Sequence, residues 1–70
     1  MTTGELARHF QVTPQMVHVY ATMGLIRERR RTPAGYRLWG PEAIRRLRMV
    51  REKNSQRWPL REIARVYFKG

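Results

Sequence analysis

The sequence predicts a small, mainly α-helical fold in which two short helices are followed by a β-hairpin and two further helices. Apolar residues recur at helical spacing in four segments, and each segment begins with residues typical of helix starts. The stretch between the second and third segments lacks this period and is rich in turn residues and arginine. Because no linker divides the 70 residues, we expect residues 1–70 to form one domain with a small core.

The first helix is predicted from its start signal. Thr2 and Glu5 have the spacing of a capping box, in which each side chain binds the backbone N–H of the other residue. Apolar residues then recur at helical spacing, which predicts a helix from about Thr3 to Phe10.

A second helix follows after a short turn. Thr13 can cap it and Pro14 can occupy its first position, while Val17 and Tyr20 share its buried face. Gly24 lies where a residue in the left-handed conformation commonly ends a helix. Two short helices joined by a tight turn form a helix-turn-helix, whose second helix usually enters the major groove of DNA.

The next segment has the pattern of a hairpin, or wing. Leu25–Ile26 and residues 36–39 are short strand-like runs, and they enclose the basic, turn-rich stretch from Arg27 to Gly35. We therefore expect the two apolar runs to be the paired strands.

Two helices complete the fold. Pro41 and Glu42 open a third helix that should end near Asn54, and Pro59 can start a fourth. The residues expected to face inward from these helices are Ile44, Leu47, Val50, Leu60, Ile63, Ala64 and Tyr67. The aromatic residues assigned to core packing are Phe10, Trp39, Trp58 and Tyr67.

The charge balance points to a polyanionic partner. Fifteen Lys and Arg residues against five Asp and Glu give a net charge of +10. Fourteen of the fifteen basic residues lie in residues 27–70. The second helix itself contains no charged residue. Nucleic acid fits this pattern better than a membrane surface, which would call for a strongly apolar helix face or a lipidation signal. We expect double-stranded DNA as the partner, with the later basic segments attracting phosphates.

Several other classes of function lack support. Cysteine is absent, and neither His9 nor His18 has a neighbouring carboxylate cluster, so we expect no metal site and no cofactor. Because there is no nucleophile–base pair, acidic dyad or phosphate-binding glycine motif, we expect no catalytic residues and no enzyme activity. The start of the chain does not resemble a signal peptide, so we expect a cytoplasmic, nucleoid-associated bacterial protein.

Three local motifs give the chain a resemblance that covers almost its whole length. Residues 2–7 are similar to a Thr-Ile-Gly-Glu-Leu-Ala opening, and residues 12–26 fit a second helix that ends in Gly-Leu-Ile. Residues 35–39, Gly-Tyr-Arg-Leu-Trp, are close to a Gly-Tyr-Arg-Leu-Tyr wing strand. In these motifs the chain resembles the amino-terminal DNA-binding domain of the MerR family of transcriptional regulators. The resemblance implies a winged helix-turn-helix with its second helix in the major groove and its wing on phosphates.

The chain also departs from the family pattern. Family members usually carry Thr-Leu-Arg-Tyr-Tyr-Glu where this chain has residues 16–21, so the family's DNA-contacting arginine is replaced by His18 and its first tyrosine by Val19. Arg57 stands where the family often has glycine. The resemblance therefore supports the docking geometry more strongly than any particular base preference.

The candidate DNA contacts form two groups. Those on or beside the second helix are Thr13, Gln15, Met16, His18 and Val19. Those in the wing are Arg29, Arg30, Arg31, Tyr36 and Arg37. We expect the wing group to bind phosphates, through bidentate guanidinium pairs and the phenol, rather than to form a merely solvated loop.

The candidate contacts on the second helix also have alternative interpretations. His18 can bond a base edge or a phosphate, or can be an ordinary surface residue. Gln15 can bond adenine bidentately or serve only as a helix former. Met16 and Val19 can contact thymine methyl groups or fill the junction between helix and wing.

The arginines of the third helix are equally consistent with DNA contact and with a solvated face, namely Arg45, Arg46, Arg48 and Arg51.

The sequence favours sequence-specific DNA binding, as a transcriptional regulator or a recombination accessory protein. The alternative is a protein-interaction adaptor that keeps the fold but binds DNA weakly or nonspecifically, which the departures in the second helix suggest. MerR regulators that sense effectors continue into a long dimerisation helix and an effector-binding segment, whereas this sequence stops at Gly70. We therefore expect no small-molecule effector, a monomer in the absence of DNA, and cooperative binding to repeated sites or with a second protein.

Overall fold

A computed structural model describes residues 1–68 of the chain. Within this range four helices and one hairpin follow one another in the order α1 (Thr3–Phe10), α2 (Pro14–Thr22), β1 (Arg30–Arg31), β2 (Arg37–Leu38), α3 (Pro41–Ser55) and α4 (Leu60–Tyr67). The two strands pair antiparallel. The predicted winged helix-turn-helix, mainly α-helical, is therefore confirmed.

Side-chain caps fix the start of α1. The Thr2 hydroxyl accepts a hydrogen bond from the Glu5 backbone N–H at 3.2 Å, and the Glu5 carboxylate accepts one from the Thr2 N–H at 2.8 Å. The bond from the Thr2 backbone N–H favours the ionised carboxylate and, with a smaller contribution from the Thr2 side chain, lowers the pKa of Glu5. The capping box predicted from the sequence is thus present.

One apolar core joins all four helices and the segments that flank the hairpin. Its members are Leu6, Ala7, Val17, Tyr20, Leu25, Ile26, Trp39, Ala43, Leu47, Val50 and Ile63. Full burial of a side chain such as leucine or valine stabilises the fold by about 1.5–3 kcal/mol. The core therefore holds α1 and α2 against the longer α3 and gives the hairpin a fixed base.

The second strand of the hairpin, β2, lies within the predicted run of residues 36–39, but the first strand lies later in the chain than predicted. Leu25–Ile26 was expected to be the first strand, and this expectation is wrong: both residues are buried in the core, and the strand is Arg30–Arg31. Arg30 pairs with Leu38, and Arg31 pairs with Arg37. The apolar character of Leu25–Ile26 reflects burial, whereas the strands pair through their backbones and carry mostly charged side chains.

The first residues of the described chain run beside β2. Thr2 forms an isolated antiparallel bridge with Leu38, and the Met1 carbonyl accepts a hydrogen bond from the Trp39 N–H at 2.7 Å. The buried Trp39 indole donates to the Thr3 hydroxyl at 3.0 Å. These contacts attach the wing to the start of α1 as well as to the core.

One expectation about the end of the fold is wrong. Tyr67 was assigned to the core, but it is 40% exposed and packs beside the half-buried Trp58, with ring centroids 5.5 Å apart. It stands at the last position of α4, where less of the core remains to cover it. Arg57 stands where the family that the chain resembles often has glycine. It nevertheless adopts the left-handed conformation, with φ at 72°.

Candidate nucleic-acid interface

Helix α2 is oriented by what it buries. Val17 and Tyr20 point into the core, which directs Gln15, His18 and Val19 outward. No residue of α2 carries a formal charge. The exposed face of this helix therefore offers an amide, an imidazole and a β-branched apolar group.

Thr13 and Met16 act together at the start of α2. The Thr13 hydroxyl accepts a hydrogen bond from the Met16 backbone N–H at 3.1 Å and so caps the helix. The Met16 side chain is half-buried and packs against the core. Both side chains thus have structural roles, and DNA contact by either remains a prediction.

The wing projects from the fold on a tight turn. The Thr32 carbonyl accepts from the Gly35 N–H at 2.8 Å, and the Thr32 hydroxyl accepts from the Tyr36 N–H at 3.1 Å. Gly35 has φ at 91°, a region that residues with a Cβ rarely adopt. This turn leaves Tyr36 71% exposed, so its phenol is available to a partner.

Arg37 connects the wing to α2. Its Nη1 lies 3.2 Å from Nδ1 of His18, and its Nε lies 3.2 Å from Oε1 of Glu28. The wing strand β2 and the exposed face of α2 are therefore parts of one continuous surface. Arg37 and His18 are two of the predicted site residues, and the structure brings them together.

Glu28 holds a second wing arginine. Its Oε2 accepts from Arg31 Nε at 2.6 Å and its Oε1 accepts from Arg31 Nη2 at 3.2 Å. The hydrogen bond from Arg31, aided by the charges of Arg31 and Arg37, lowers the pKa of Glu28. Because Arg31 and Arg37 are directly opposite each other in the hairpin, the carboxylate also offsets a repulsive cross-strand pair.

Sequence reasoning did not identify Glu28. It is the only carboxylate within residues 27–37, and it stands three residues before Arg31. That isolation in a basic stretch was an available signal. Its ion pair with Arg37 could not be predicted from the sequence, because it depends on the strand register.

Arg29 and Arg30 lie elsewhere in the wing. The Arg29 side chain packs against Gly40, and its Cδ is 2.9 Å from where a Cβ on that glycine would be. Arg30 is opposite Leu38 in the hairpin and lines a shallow cleft beside Met1. The predicted wing arginines are thus divided between two places: Arg37 contacts α2 through His18, and Arg31 is linked to Arg37 through Glu28.

Arg46 has a structural role that its sequence position did not reveal. Its guanidinium donates to the Gly24 carbonyl at 3.3 Å and lies 4.0 Å from the centroid of the Phe68 ring. It therefore connects α3 to the end of α2 and to the residue that follows α4. The exposed arginines of α3 are Arg45, Arg48 and Arg51.

Neither a metal cluster nor a membrane-spanning helix is present in the part of the chain that the structure describes. Among residues 1–68, no group of three or more His, Cys, Asp or Glu side chains is placed to hold a metal ion. Over the same range, no helix has the length and apolar character needed to cross a bilayer.

Comparison with known proteins identifies the family. The family model described as "MerR HTH family regulatory protein" matches residues 1–67. A curated relative, the mercuric resistance operon regulatory protein of Bacillus cereus, is 32% identical over 63 residues, which cover 90% of this chain and 48% of the relative. The chain thus spans about half the length of that relative. No solved structure was found to match. The MerR family consists of DNA-binding regulators rather than enzymes, and this chain belongs to it.

Proposed function

We propose that residues 1–70 form one DNA-binding domain that recognises a specific double-stranded sequence, with α2 in the major groove and the wing on flanking phosphates. The observation that carries this proposal is the bond between His18 and Arg37, which joins an uncharged helix face to a basic strand. Such a surface separates two tasks: base edges meet the neutral groups, and phosphates meet the guanidinium groups.

The proposed base contacts are Gln15, His18 and Val19, with Thr13 and Met16 at their margin. Gln15 is exposed near the start of α2 and can bond adenine bidentately, and Val19, 37% exposed, can contact a thymine methyl group. The proposed phosphate contacts are Arg29, Arg30, Arg31, Tyr36 and Arg37. The role is that of a transcriptional regulator or a recombination accessory protein acting on bacterial DNA in the cytoplasm.

Specific binding can be tested by comparing two matched glutamine variants. A preferred site is first selected from genomic fragments, and its affinity is compared with that of random duplex by mobility shift. Gln15→Ala should cost roughly 1–3 kcal/mol on the preferred site and much less on random DNA. Gln56→Ala, at an exposed position that follows α3, is the control and should change neither affinity.

The adaptor function is the second candidate, and the Glu28 contacts favour it. Because one carboxylate neutralises part of the charge of Arg31 and Arg37, the wing attracts phosphate less than its composition suggests. DNA binding that disappears at raised salt, and that never improves on any selected sequence, would support the adaptor and contradict sequence recognition.

We further propose that the 70-residue chain is a monomer before it meets DNA, since a net charge of +10 opposes self-association. Light scattering at low salt should give a monomeric mass, and repeated sites should be filled stepwise or cooperatively. A dimer that persists in high salt would contradict this. The exposed Val66 and Tyr67 would then be the first residues to substitute.

A further inference from the structure

The contacts that join Glu28, Arg37 and His18 determine which ring nitrogen of His18 carries a proton on the exposed face of α2. Arg37 Nη1 is 3.2 Å from His18 Nδ1, and a guanidinium group has donors but no acceptor. Nδ1 of His18 must therefore be the acceptor in this bond, which places the imidazole proton on Nε2. His18 is exposed, so this Nε2–H remains available to a partner.

Glu28 keeps Arg37 in the position that this bond requires. Its carboxylate forms an ion pair with Arg37, with Oε1 3.2 Å from Nε, and holds Arg31 on the opposite strand through two hydrogen bonds. Arg37 is only 30% exposed, which limits the other positions that its side chain can take. Without Glu28, Arg31 and Arg37 would repel each other across the hairpin.

We propose that Glu28 is a positioning residue that, through Arg37, fixes His18 as a hydrogen-bond donor at Nε2, so that α2 selects a purine by its N7 acceptor. Both purines carry N7 in the major groove, and guanine O6 and thymine O4 are further acceptors there, whereas cytosine presents only a donor. The Nε2–H donor therefore disfavours cytosine, and purine N7 is the acceptor that we propose it binds. A histidine with its proton on Nδ1 would present an acceptor and would prefer the opposite pattern. This inference rests on the proposed sequence-specific function.

The first experiment needs no DNA. Long-range proton–nitrogen NMR spectra of the neutral imidazoles should show His18 protonated at Nε2. Arg37→Met, which removes the donor, should increase the population with the proton on Nδ1. His9, whose imidazole has no hydrogen-bond partner within residues 1–68, is the internal control and should not change. A proton on Nδ1 of His18 in the unaltered protein would overturn the inference.

The second experiment probes the base. In the preferred duplex each purine is replaced in turn by its 7-deaza analogue, which lacks the N7 acceptor. We expect one replacement to weaken binding of the unaltered protein by about 3- to 10-fold, the value of one hydrogen bond. This sensitivity should fall below about 2-fold in Glu28→Ala, because the bond is then poorly positioned.

Glu62→Ala is the matched control for Glu28→Ala. Glu62 also pairs with an arginine three residues later, so its removal changes the net charge equally while leaving the wing intact. It should retain the full sensitivity. If no purine is sensitive, or if Glu28→Ala keeps the same sensitivity, the inference is wrong although specific binding stands. If the unaltered protein prefers no sequence at all, the proposed function fails as well.

Discussion

Removal of the Arg31 guanidinium should reduce the salt dependence of DNA binding by a calculable amount. Arg31 is 52% exposed and shares Glu28 with Arg37, so these three side chains carry a net charge of +1. In Arg31→Ala the remaining pair is neutral. Each neutralised phosphate contributes about 0.9 to the slope of log K against log salt. We therefore expect Arg31→Ala to lower the magnitude of that slope by about 0.9.

This change has a measurable size in a standard titration. Between roughly 50 and 200 mM salt, one phosphate contact accounts for about a 3.5-fold loss of affinity. Fluorescence anisotropy at four or five salt concentrations, on preferred and random duplexes, would resolve this difference. Arg31→Ala should affect both duplexes alike, since phosphates carry no sequence information.

Two further variants separate a local contact from net charge. Arg65→Ala removes an exposed arginine that also pairs with a carboxylate three residues earlier, but on α4, and it should leave the slope unchanged. Glu28→Ala removes the neutralising carboxylate and should increase the slope. An unchanged slope in Arg31→Ala, or an equal change in Arg65→Ala, would refute the wing as a phosphate-binding element.

Further predictions concern stability and use thermal unfolding followed by circular dichroism. Gly24→Ala should destabilise the fold by about 1 kcal/mol because φ is 79° at this position. Gly4→Ala, within α1, should instead stabilise the fold by about 0.5 kcal/mol, since alanine favours a helix more than glycine does. A change of the same sign in both variants would contradict this argument about the backbone. Arg57→Gly should stabilise the fold by up to about 1 kcal/mol by relieving its left-handed conformation, and a loss of stability would show that the side chain matters more. Because the pKa of Glu5 is lowered from its usual 4.5 by its bonds with Thr2, stability should be lost as pH falls below about 4.5. Glu5→Gln should flatten that decline, and an unaltered pH profile in this variant would contradict the capping contribution.

The helices could be predicted because their signals are local. The capping box of α1 and the Thr13–Pro14 start of α2 each lie within a few residues, and the observed bounds agree with the expected ones within about one residue. The buried faces followed from helical spacing for the same reason. Tyr67 was the exception, since its exposure depends on where α4 ends relative to the core.

The position of the first strand could not be obtained in this way, whereas β2 lies within the predicted run of residues 36–39. Apolar residues at Leu25–Ile26 predict either a strand or a buried connection, and only the tertiary packing distinguishes the two. The actual strands consist mostly of arginines whose backbones pair, with Arg31 opposite Arg37. Strand propensity therefore gave no signal for β1, although it did indicate β2.

The candidate interface was only partly predictable for a related reason. Composition and motif spacing indicated a basic wing beside an uncharged helix, which the structure contains. Arg37 contacts α2 through His18, and Glu28 links Arg31 to Arg37. Both relations depend on the strand register, which a sequence pattern does not reveal. The structural role of Arg46 likewise required the position of the Gly24 carbonyl.

The central claim is that α2 contacts base edges and the wing contacts phosphates. It can be tested most directly by NMR titration of the labelled protein with its preferred duplex and, separately, with random duplex. With the preferred duplex we expect the largest shifts in the Gln15 side-chain amide, the His18 imidazole and the guanidinium groups of Arg31 and Arg37. With random duplex the wing signals should still move while those of Gln15 and His18 change little. If the shifts instead concentrate on α3 and α4, or if Gln15 and His18 respond equally to both duplexes, α2 is not the helix that reads the sequence.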